Sequence, residues 1–512
     1  MAINQSSGQG ALFELIARGV KDNYFVKDDK NSIFPYDASY GSSMPHLAER
    51  RTTVPITRTD FGRTFEVEID AFGDIMTECA FEIDLPSWLP PMALMQQGLQ
   101  SANALQSGLQ PLQPVDPSIV NNLYPITATD GTSYGYTNGI GYFLFESIQF
   151  YQDQFLLQEW SGDMLYAKQL TEGSYGSAGL AQQSAGISTN INNETRSIQM
   201  RATPGHLRVY LPLPGMQCPG DPGFPLTALP YQTFRIKATL RKLEDLVVCS
   251  NSSTVKPAPW SVPSFQVAYP TGSQTVVPLT RLQMGQPTIL LSTVQHYISP
   301  ENQAILRSKP IQIPFRKQFE NIFTFGELDY IPLDKGGQSV VTRFIDGRHP
   351  AERIFWFFRN YNALDQNRLD YMDNNYFDNA QYPSETQPYT TPYGLFYYNI
   401  KLNIAGKERE DNYDGSVWNQ LTPFAKHERY SHGIGSMMWS TGDNYGKVYP
   451  AVRSPEGTVN FSTADRPTLH IQLANIARNM RLGQRKSEFR VYVESWNMYH
   501  VADGRGRLGF AS

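Results

Sequence analysis

The most constraining feature of this sequence is a two-residue alternation of apolar and polar side chains that recurs in short segments. Residues 60–70 (DFGRTFEVEID) place Phe61, Phe65, Val67 and Ile69 on one face of an extended chain. The next segment, IMTECAFEIDL, continues the alternation until a proline ends it. The same pattern recurs at 141–160, 206–213, 231–243, 287–298, 309–325 and 348–361. Alternation with this period predicts half-buried β-strands and an all-β protein.

The strand series of the first half recurs in the second half. Residues 394–411 (GLFYYNIKLNIAGKERED) parallel 141–158, because each opens with glycine and aromatics and ends in a polar loop. Two further parallels are TLHIQL (468–473) with HLRVYLPL (206–213) and SEFRVYVESWNMYHV (487–501) with YQTFRIKATLRKL (231–243). One series in each half predicts duplicated β domains rather than a short-repeat solenoid. About eight strands per copy predict two-sheet jelly rolls.

The polar stretch ISPENQA (298–304) separates the two predicted copies. We therefore predict an N-terminal arm over 1–30, a first jelly roll over 31–298 and a second over 299–512. The predicted fold class is all-β, with two tandem eight-stranded jelly-roll β-sandwiches, long loop insertions and a short N-terminal helical arm. The segment 91–135, rich in Gln, Ser, Gly, Leu and Pro, is too long for an ordinary hairpin loop and predicts an insertion.

The segment 10–25 (GALFELIARGVKDNYF) differs from the rest, because Leu12, Leu15 and Ile16 recur at helical spacing. It is shorter than the about 20 apolar residues of a membrane span. Its mixed charges do not fit a targeting peptide. Two interpretations stay open: a helix packed on its own domain, or an arm that holds a partner.

Composition agrees with a large β protein and argues against several classes. Aromatics make up 12% of the residues, and 39 Gly and 35 Pro supply turns. The net charge of −5 gives no support to a nucleic-acid binder, which carries a dominant basic field. Cys79, Cys218 and Cys249 form no CxxC pair and predict a reducing compartment without a disulfide framework or zinc site. We expect a chain made in a cytosol.

Catalytic signals are poor. The sequence contains neither a GxxxxGK[ST] phosphate loop nor an HExxH motif. His427 and His432 match no metal-ligand spacing, and the aspartates of 365–378 lack the turn glycine of an EF-hand loop. We predict no catalytic, cofactor-binding or metal-binding residues and no cofactor. A glycosidase-type carboxylate pair stays open, because it is defined by separation in space.

One basic cluster stands out near the C-terminus. Its members are Arg478, Arg481, Arg485, Lys486 and Arg490, followed by Arg505 and Arg507. Only Glu488 opposes them in NIARNMRLGQRKSEFR. The cluster predicts either a contact for phosphate-bearing or acidic neighbours or a solvated turn before the last strand. The lack of interleaved aromatics favours the solvated turn.

Several short motifs follow one another in a specific order. The N-terminal ones are Gly10–Phe25, Arg50-Arg51-Thr52-Thr53, Phe61-Gly62-Arg63, Gly73-Asp74 and Leu85-Pro86. A Pro-rich turn, LPLPGMQCPGDPGFPLTALP, comes next, and PEGTVNFSTAD then supplies Gly457, Asn460, Phe461, Ser462 and Asp465. Together they resemble the double jelly-roll major capsid proteins of nucleocytoplasmic large DNA viruses. The insertions 91–135, 161–200 and 362–392 fall outside the resemblance.

The resemblance implies a structural virion protein and not an enzyme. It implies pseudo-hexameric homotrimeric capsomers that tile an icosahedral shell. Expected partners are other copies of the chain, neighbouring capsomers, minor capsid and penton proteins, and an inner viral membrane at the capsomer base, without sequence-specific nucleic acid. The expected location is the capsid shell of the virion, after synthesis and assembly in the host cytoplasm. The arm would lie at the inner base of the capsomer.

A second hypothesis comes from a different class. Aromatic-rich β folds often bind sugars, and a fold does not determine a function. The alternative is therefore a glycan-binding or glycan-cleaving tandem β-sandwich protein.

Overall fold

The computed structural model of the chain describes the strand framework of both halves. The described residues are 46–86, 126–128, 134–137, 139–171, 206–217, 221–249, 264–268, 274–278, 286–326, 329, 339–360, 397–404, 407–408, 415–425, 434–439, 457–462, 467–473 and 487–510. The predicted arm (1–30) and the insertion 362–392 lie outside these residues, as do parts of the other two insertions.

Strands dominate both halves of the described chain. In the first half they are β1 (His46–Pro55), β2 (Thr64–Glu68), β3 (Ile75–Asp84), β4 (Ile126–Ala128), β5 (Tyr134–Tyr136), β6 (Phe145–Gln152), β7 (Phe155–Trp160), β8 (His206–Tyr210), β9 (Phe234–Leu240), β10 (Val247–Cys249), β11 (Ser264–Ala268), β12 (Gln274–Pro278) and β13 (Thr288–Ile298). In the second half they are β14 (Ile311–Phe325), β15 (Ser339–Phe344), β16 (Pro350–Asn360), β17 (Tyr397–Ile404), β18 (Lys407–Glu408), β19 (Ile434–Met438), β20 (Val459–Asn460), β21 (Thr468–Leu473), β22 (Ser487–Ala502) and β23 (Arg505–Leu508).

Eight strands of the first half form a sandwich of two four-stranded sheets, β1-β13-β3-β8 and β2-β9-β6-β7. Counted along the chain within the sandwich, one sheet has the order first-eighth-third-sixth and the other second-seventh-fourth-fifth. Neighbouring strands are antiparallel, as β1 with β13 and β6 with β9. Most neighbours are distant in sequence, and this is the arrangement of a jelly roll.

The second half repeats this order. Its sheets are β14-β22-β16-β19 and β15-β21-β17-β18, again first-eighth-third-sixth and second-seventh-fourth-fifth. The strands β20 and β23 extend the first of these sheets, and β12-β11-β4 and β10-β5 form two small sheets in the first half. The predicted fold class, two tandem eight-stranded jelly rolls, is confirmed.

The topology corrects part of the predicted strand correspondence. β6 and β17 are both the fourth strand of their sandwich, as predicted. However, β21 is a seventh strand and corresponds to β9 rather than β8, and β22 is an eighth strand and corresponds to β13 rather than β9. The sixth strand of the second sandwich, β19, has all five residues buried and no alternation. A search for alternating residues therefore misses β19. The strands after it are then each matched to a strand of the first half that is one position too early.

In the first sandwich, alternating residues of each strand point their apolar side chains into the core. β2 exposes Thr64, Glu66 and Glu68 but buries Phe65 and Val67. The ring of Phe81 meets that of Phe65 edge-on at 5.8 Å. Such aromatic pairs contribute about 0.5–1.5 kcal/mol beyond the area that they bury.

The second core is also built on aromatic residues. The ring of Phe358 stacks on Phe489 at 4.2 Å and on Tyr397 at 5.4 Å. The indole Nε1 of Trp356 donates a hydrogen bond of 3.2 Å to the Tyr397 hydroxyl, which in turn donates to Asn419 at 2.5 Å. The polar atoms of these buried rings are therefore satisfied.

Helices are short and lie in connections. They are α1 (Ile140–Phe143), α2 (Gly162–Thr171), α3 (Leu243–Leu246), α4 (Pro300–Ser308), α5 (Thr422–Ala425), a 3₁₀ turn (Leu226–Ala228) and a π-helical turn (Val417–Leu421). α4 connects the two sandwiches, and Ser299 caps it by accepting a hydrogen bond from the backbone N–H of Asn302. No helix in the described part of the chain has the length and apolar character to cross a membrane. The limits 1–30, 31–298 and 299–512 stay predictions.

Two motifs of the family resemblance stabilise connections. The buried carboxylate of Asp74 accepts the backbone N–H of Ile298 at 2.9 Å, so it ties the start of β3 to the end of β13. Near the C-terminus, Phe461 donates its N–H to the His349 carbonyl at 3.0 Å, and Ser462 Oγ accepts the His349 N–H at 2.8 Å. These bonds hold the turn before β16 in place.

Candidate functional site: the interface between the two sandwiches

Helix α2 follows β7 and carries the central residues of this interface. Eight of its ten residues are buried, including the charged Asp163 and Lys168, so the helix is covered on more than one face. Gly162 is required at its start, because a Cβ there would lie 2.1 Å from the Tyr142 carbonyl oxygen. This part of the predicted insertion 161–200 is therefore a buried helix and not a surface loop.

Asp163 lies at the centre of one ionic cluster. Its Oδ2 is 2.7 Å from an Arg241 nitrogen of the first sandwich, and its Oδ1 is 2.8 Å from an Arg359 nitrogen of the second. Arg490, on β22, is 3.0 Å from the same carboxylate. Burial alone would raise the pKa of Asp163, but the charges of Arg359, Arg490 and Arg241 outweigh it and hold the pKa below its usual range. Asp163 is therefore ionised and joins the two sandwiches.

The cluster continues through two glutamates of the second sandwich. Glu488 is 2.8 Å from Arg359 and also contacts Arg490. Glu320 is 2.8 Å from Arg490 and accepts a hydrogen bond from the Tyr492 hydroxyl at 3.1 Å. The three arginines and three carboxylates carry equal and opposite charge. No net charge is therefore buried in the cluster, although most of its side chains are buried.

Glu494 is the centre of a second cluster. Its Oε1 is 2.5 Å from Lys168 Nζ of helix α2 and accepts a hydrogen bond from Gln318 at 2.8 Å. Its Oε2 is 3.4 Å from Arg353 Nε, and the guanidinium of Arg353 donates to Thr171 of the same helix at 3.3 Å. Burial would raise the pKa of Glu494, but Lys168, Arg353 and Arg316 lower it below its usual range.

Glu352 and Arg316 form an ion pair within the second sandwich. Arg316 Nε donates to Glu352 Oε2 at 2.9 Å, and its guanidinium lies 4.8 Å from the centre of the Trp496 ring. The Glu352 side chain is fully buried. Burial raises the pKa of Glu352, and the positive charge of Arg316 offsets this effect only in part.

The interface also has an apolar and hydrogen-bonded part. Phe355, Phe357 and Tyr492 of the second sandwich pack in the core of the first. Tyr499 donates its hydroxyl hydrogen to Gln152 Oε1 at 2.6 Å, and Gln152 Nε2 donates to the Gly506 carbonyl at 2.7 Å. The β22–β23 hairpin is therefore bonded to the first sandwich.

This arrangement holds the two sandwiches in one relative position. Arginine–carboxylate pairs are directional, so they require a defined geometry. Breaking a buried pair by removing one partner costs about 3–5 kcal/mol. The Asp163 and Glu494 carboxylates have no solvent-exposed area. Such groups can position domains but cannot reach a dissolved substrate.

The sequence-predicted candidates have different outcomes. Arg490, assigned to a solvated or ligand-contacting cluster, is instead buried within β22 and paired with Asp163, Glu320 and Glu488, so both interpretations are wrong for it. Arg505 and Arg507 are exposed on β23. The remaining cluster members lie outside the described residues, as do His427, His432 and the aspartates of 365–378. Within the described ranges, no three His, Cys, Asp or Glu side chains are placed to hold a metal ion.

The sequence also contains a motif that is typical of serine hydrolases. GTSYG (131–135) fits the GxSxG pattern of a nucleophile elbow. An elbow needs a helix directly after its serine, whereas strand β5 begins at Tyr134 and pairs with β10. The match therefore does not have the context of a hydrolase site.

Two sandwiches of one topology, joined by a buried polar interface, define a double jelly-roll protein. Solved viral capsid proteins share this fold. PBCV-1 VP54, fitted into a reconstruction of the virophage Sputnik, has a TM-score of 0.61 and 14% identity over 92% of this chain and 98% of that chain. The Faustovirus major capsid protein has a TM-score of 0.52 and 11% identity over 93% of this chain and 95% of that chain. At these identities the likeness establishes the fold.

Sequence comparison leads to the same group of proteins. The chain is 28% identical over 112 residues to the major capsid protein of Chrysochromulina ericina virus, covering 22% of this chain and 18% of the relative. It is 27% identical over 113 residues to that of Phaeocystis pouchetii virus, covering 22% and 20%. The match thus spans about one fifth of each relative's length. No protein-family model matches the chain. The resemblance to major capsid proteins of large DNA viruses, inferred from the motifs, is confirmed.

Proposed function

We propose that this protein is a structural major capsid protein of a large DNA virus. The observation that carries the proposal is the double jelly-roll topology, in which two sandwiches of the same strand order are joined through the Asp163 and Glu494 clusters. A shell protein needs to be rigid and to present repeated contact surfaces. The buried ionic interface makes the pair of sandwiches rigid, and the duplication of the sandwich provides the repeated surfaces. No step of this function needs a cofactor or a catalytic residue.

The finer proposal is a homotrimeric capsomer with pseudo-hexagonal symmetry. Each chain contributes two similar sandwiches, so three chains related by a closed rotation present six similar walls. Such a block can tile an icosahedral shell with one type of chain. We extend the proposal to contacts with neighbouring capsomers, minor capsid and penton proteins and an inner viral membrane, and to assembly in the host cytoplasm.

Native mass spectrometry of the purified full chain tests the proposal. We expect a compact trimer of about 173 kDa, three times the chain mass of 57.8 kDa, and particles of hexagonal outline in electron micrographs. A stable monomer that binds glycans would contradict the capsid function and favour the glycan-active alternative.

A further inference from the structure

A groove of about 320 Å³ lies where the two sandwiches meet helix α4. Its apolar lining comes from both sandwiches and from the helix, and includes Ile75, Pro222, Leu306, Ile311, Ile313 and Trp496. Asp221 and Arg316 add an acidic and a basic group. The volume is large enough for a small group of aliphatic side chains.

Helix α4 has an apolar side without cover from the described residues. None of its nine residues is buried. Leu306 is only partly buried and lines the groove. A surface helix normally buries its apolar stripe, so α4 lacks a partner on this side within the described chain.

The N-terminal segment enters the first sandwich close to this groove. His46, at the start of β1, pairs with Ile298 of β13, and Ile75 of β3 pairs with His296 on the other side of β13. His46 is therefore two strands and two residues from Ile75. With strands about 4.8 Å apart and a rise of about 3.4 Å per residue, the two backbones are about 12 Å apart.

The sequence before His46 contains a matching apolar stripe. Leu12, Leu15 and Ile16 recur at helical spacing, flanked by Glu14 and Arg18. The chain between Ile16 and His46 can extend over about 100 Å, so its length does not limit docking.

We infer that the stripe of Leu12, Leu15 and Ile16 docks in the groove of its own chain, against Leu306. The stripe is joined through about 30 residues to β1, which begins about 12 Å from Ile75 of the groove. A tether of this kind gives an effective concentration in the millimolar range, which favours the chain's own arm over that of a second copy. Of the two interpretations left open by the sequence, this is packing on the chain's own domains. The inference does not depend on the proposed capsid function.

Limited proteolysis of the full-length chain is the first test. Trypsin cleavage after Arg18 is followed in Leu306→Glu and in the matched control Ile305→Glu, which alters an adjacent residue that does not line the groove. One buried leucine contributes about a factor of ten or more to docking, so we expect Leu306→Glu to accelerate cleavage at least about tenfold. Ile305→Glu leaves the rate within about twofold. Equal rates in both variants would overturn the inference. Near-ultraviolet circular dichroism shows whether each variant remains folded.

Photo-cross-linking identifies the occupant. A benzoylphenylalanine at Gln312, which lines the groove, is activated in a mixture of ¹⁴N-labelled and ¹⁵N-labelled chains. Trypsin releases residues 1–18 as one peptide, since no Lys or Arg precedes Arg18. We expect cross-links to this peptide that carry a single isotope. Mixed-isotope pairs would assign the groove to a second copy's arm, and no cross-link to this peptide would exclude the arm. Either result overturns the inference, whatever the oligomeric state.

Discussion

Replacing Asp163 by asparagine tests whether the ionic interface joins the two sandwiches. Asp163 has no exposed side-chain area and contacts Arg241, Arg359 and Arg490 at 2.7 Å, 2.8 Å and 3.0 Å. The substitution keeps the shape of the side chain but removes its charge. The three guanidinium groups would then lose the carboxylate that they share, while Glu488 would still contact Arg359 and Arg490, and Glu320 would still contact Arg490.

The expected loss follows from this burial. Removing one partner of a buried, hydrogen-bonded ion pair costs about 3–5 kcal/mol of the free energy of unfolding. An unfolding entropy of about 2.1 cal/mol/K per residue gives about 1.1 kcal/mol/K for the 512-residue chain. The thermal midpoint in calorimetry should therefore decrease by about 3–5 °C.

The matched control is Glu66→Gln, which makes the same carboxylate-to-amide change in an exposed pair. Glu66 is 2.7 Å from Arg235, and their side chains are 47% and 37% exposed. Exposed pairs contribute about 0–1 kcal/mol, so the midpoint should shift by less than about 1 °C. Equal shifts of the midpoint in the two variants would refute the conclusion that the Asp163 ion pairs contribute more to stability because they are buried.

The pH dependence of the stability provides a second test of the same cluster. The pKa of Asp163 is lower in the folded protein than its value of about 3.9 in the unfolded chain. A carboxylate whose pKa is depressed by folding stabilises the protein at every pH above its pKa in the unfolded chain. This contribution decreases as the pH falls from that value toward the pKa in the folded protein. The difference between wild type and Asp163→Asn should therefore be constant near neutral pH and shrink below about pH 4. A difference that grows on acidification would contradict the assignment.

Three further predictions concern other parts of the fold. Tyr499→Phe leaves the buried acceptor of Gln152 without its 2.6 Å hydrogen bond and should cost about 1–3 kcal/mol in urea unfolding, whereas no change would mean that the hairpin contact is dispensable. Ser299→Ala removes the cap of α4 and should speed hydrogen exchange at the amide of Asn302, by up to about fivefold for a cost of about 1 kcal/mol. Burial and the charge of Glu78 raise the pKa of the Cys79 thiol, so mass spectrometry should find Cys79 unlabelled by a thiol reagent until the chain unfolds; labelling of the native protein would contradict its placement.

Much of the fold follows from local sequence patterns. The alternation in β2 assigns Phe65 and Val67 to a core, and their neighbours Thr64 and Glu66 are exposed. Local patterns work here because side chains of a strand alternate between two faces whatever the rest of the chain does. The duplication was also visible, since both copies keep a similar fourth strand, β6 and β17.

The interface was not predictable in the same way. Arg490 and Glu494 occupy alternate positions of β22, on the face away from the apolar core residues Val491 and Val493. A charged residue on the outer face of a strand is compatible with water or with a buried partner of opposite charge. The sequence therefore placed Arg490 at the surface, and only the packing of α2 against β22 shows that Asp163 covers it.

The sequence by itself determined that this chain forms two β-sandwiches, because periodicity and turn residues act within a few positions of one another. The tertiary structure decided which strand of one copy corresponds to which of the other, and which charges are buried between them. Both depend on contacts between residues hundreds of positions apart, such as Lys168 with Glu494. No local pattern encodes such a contact, because each side chain is also compatible with solvent.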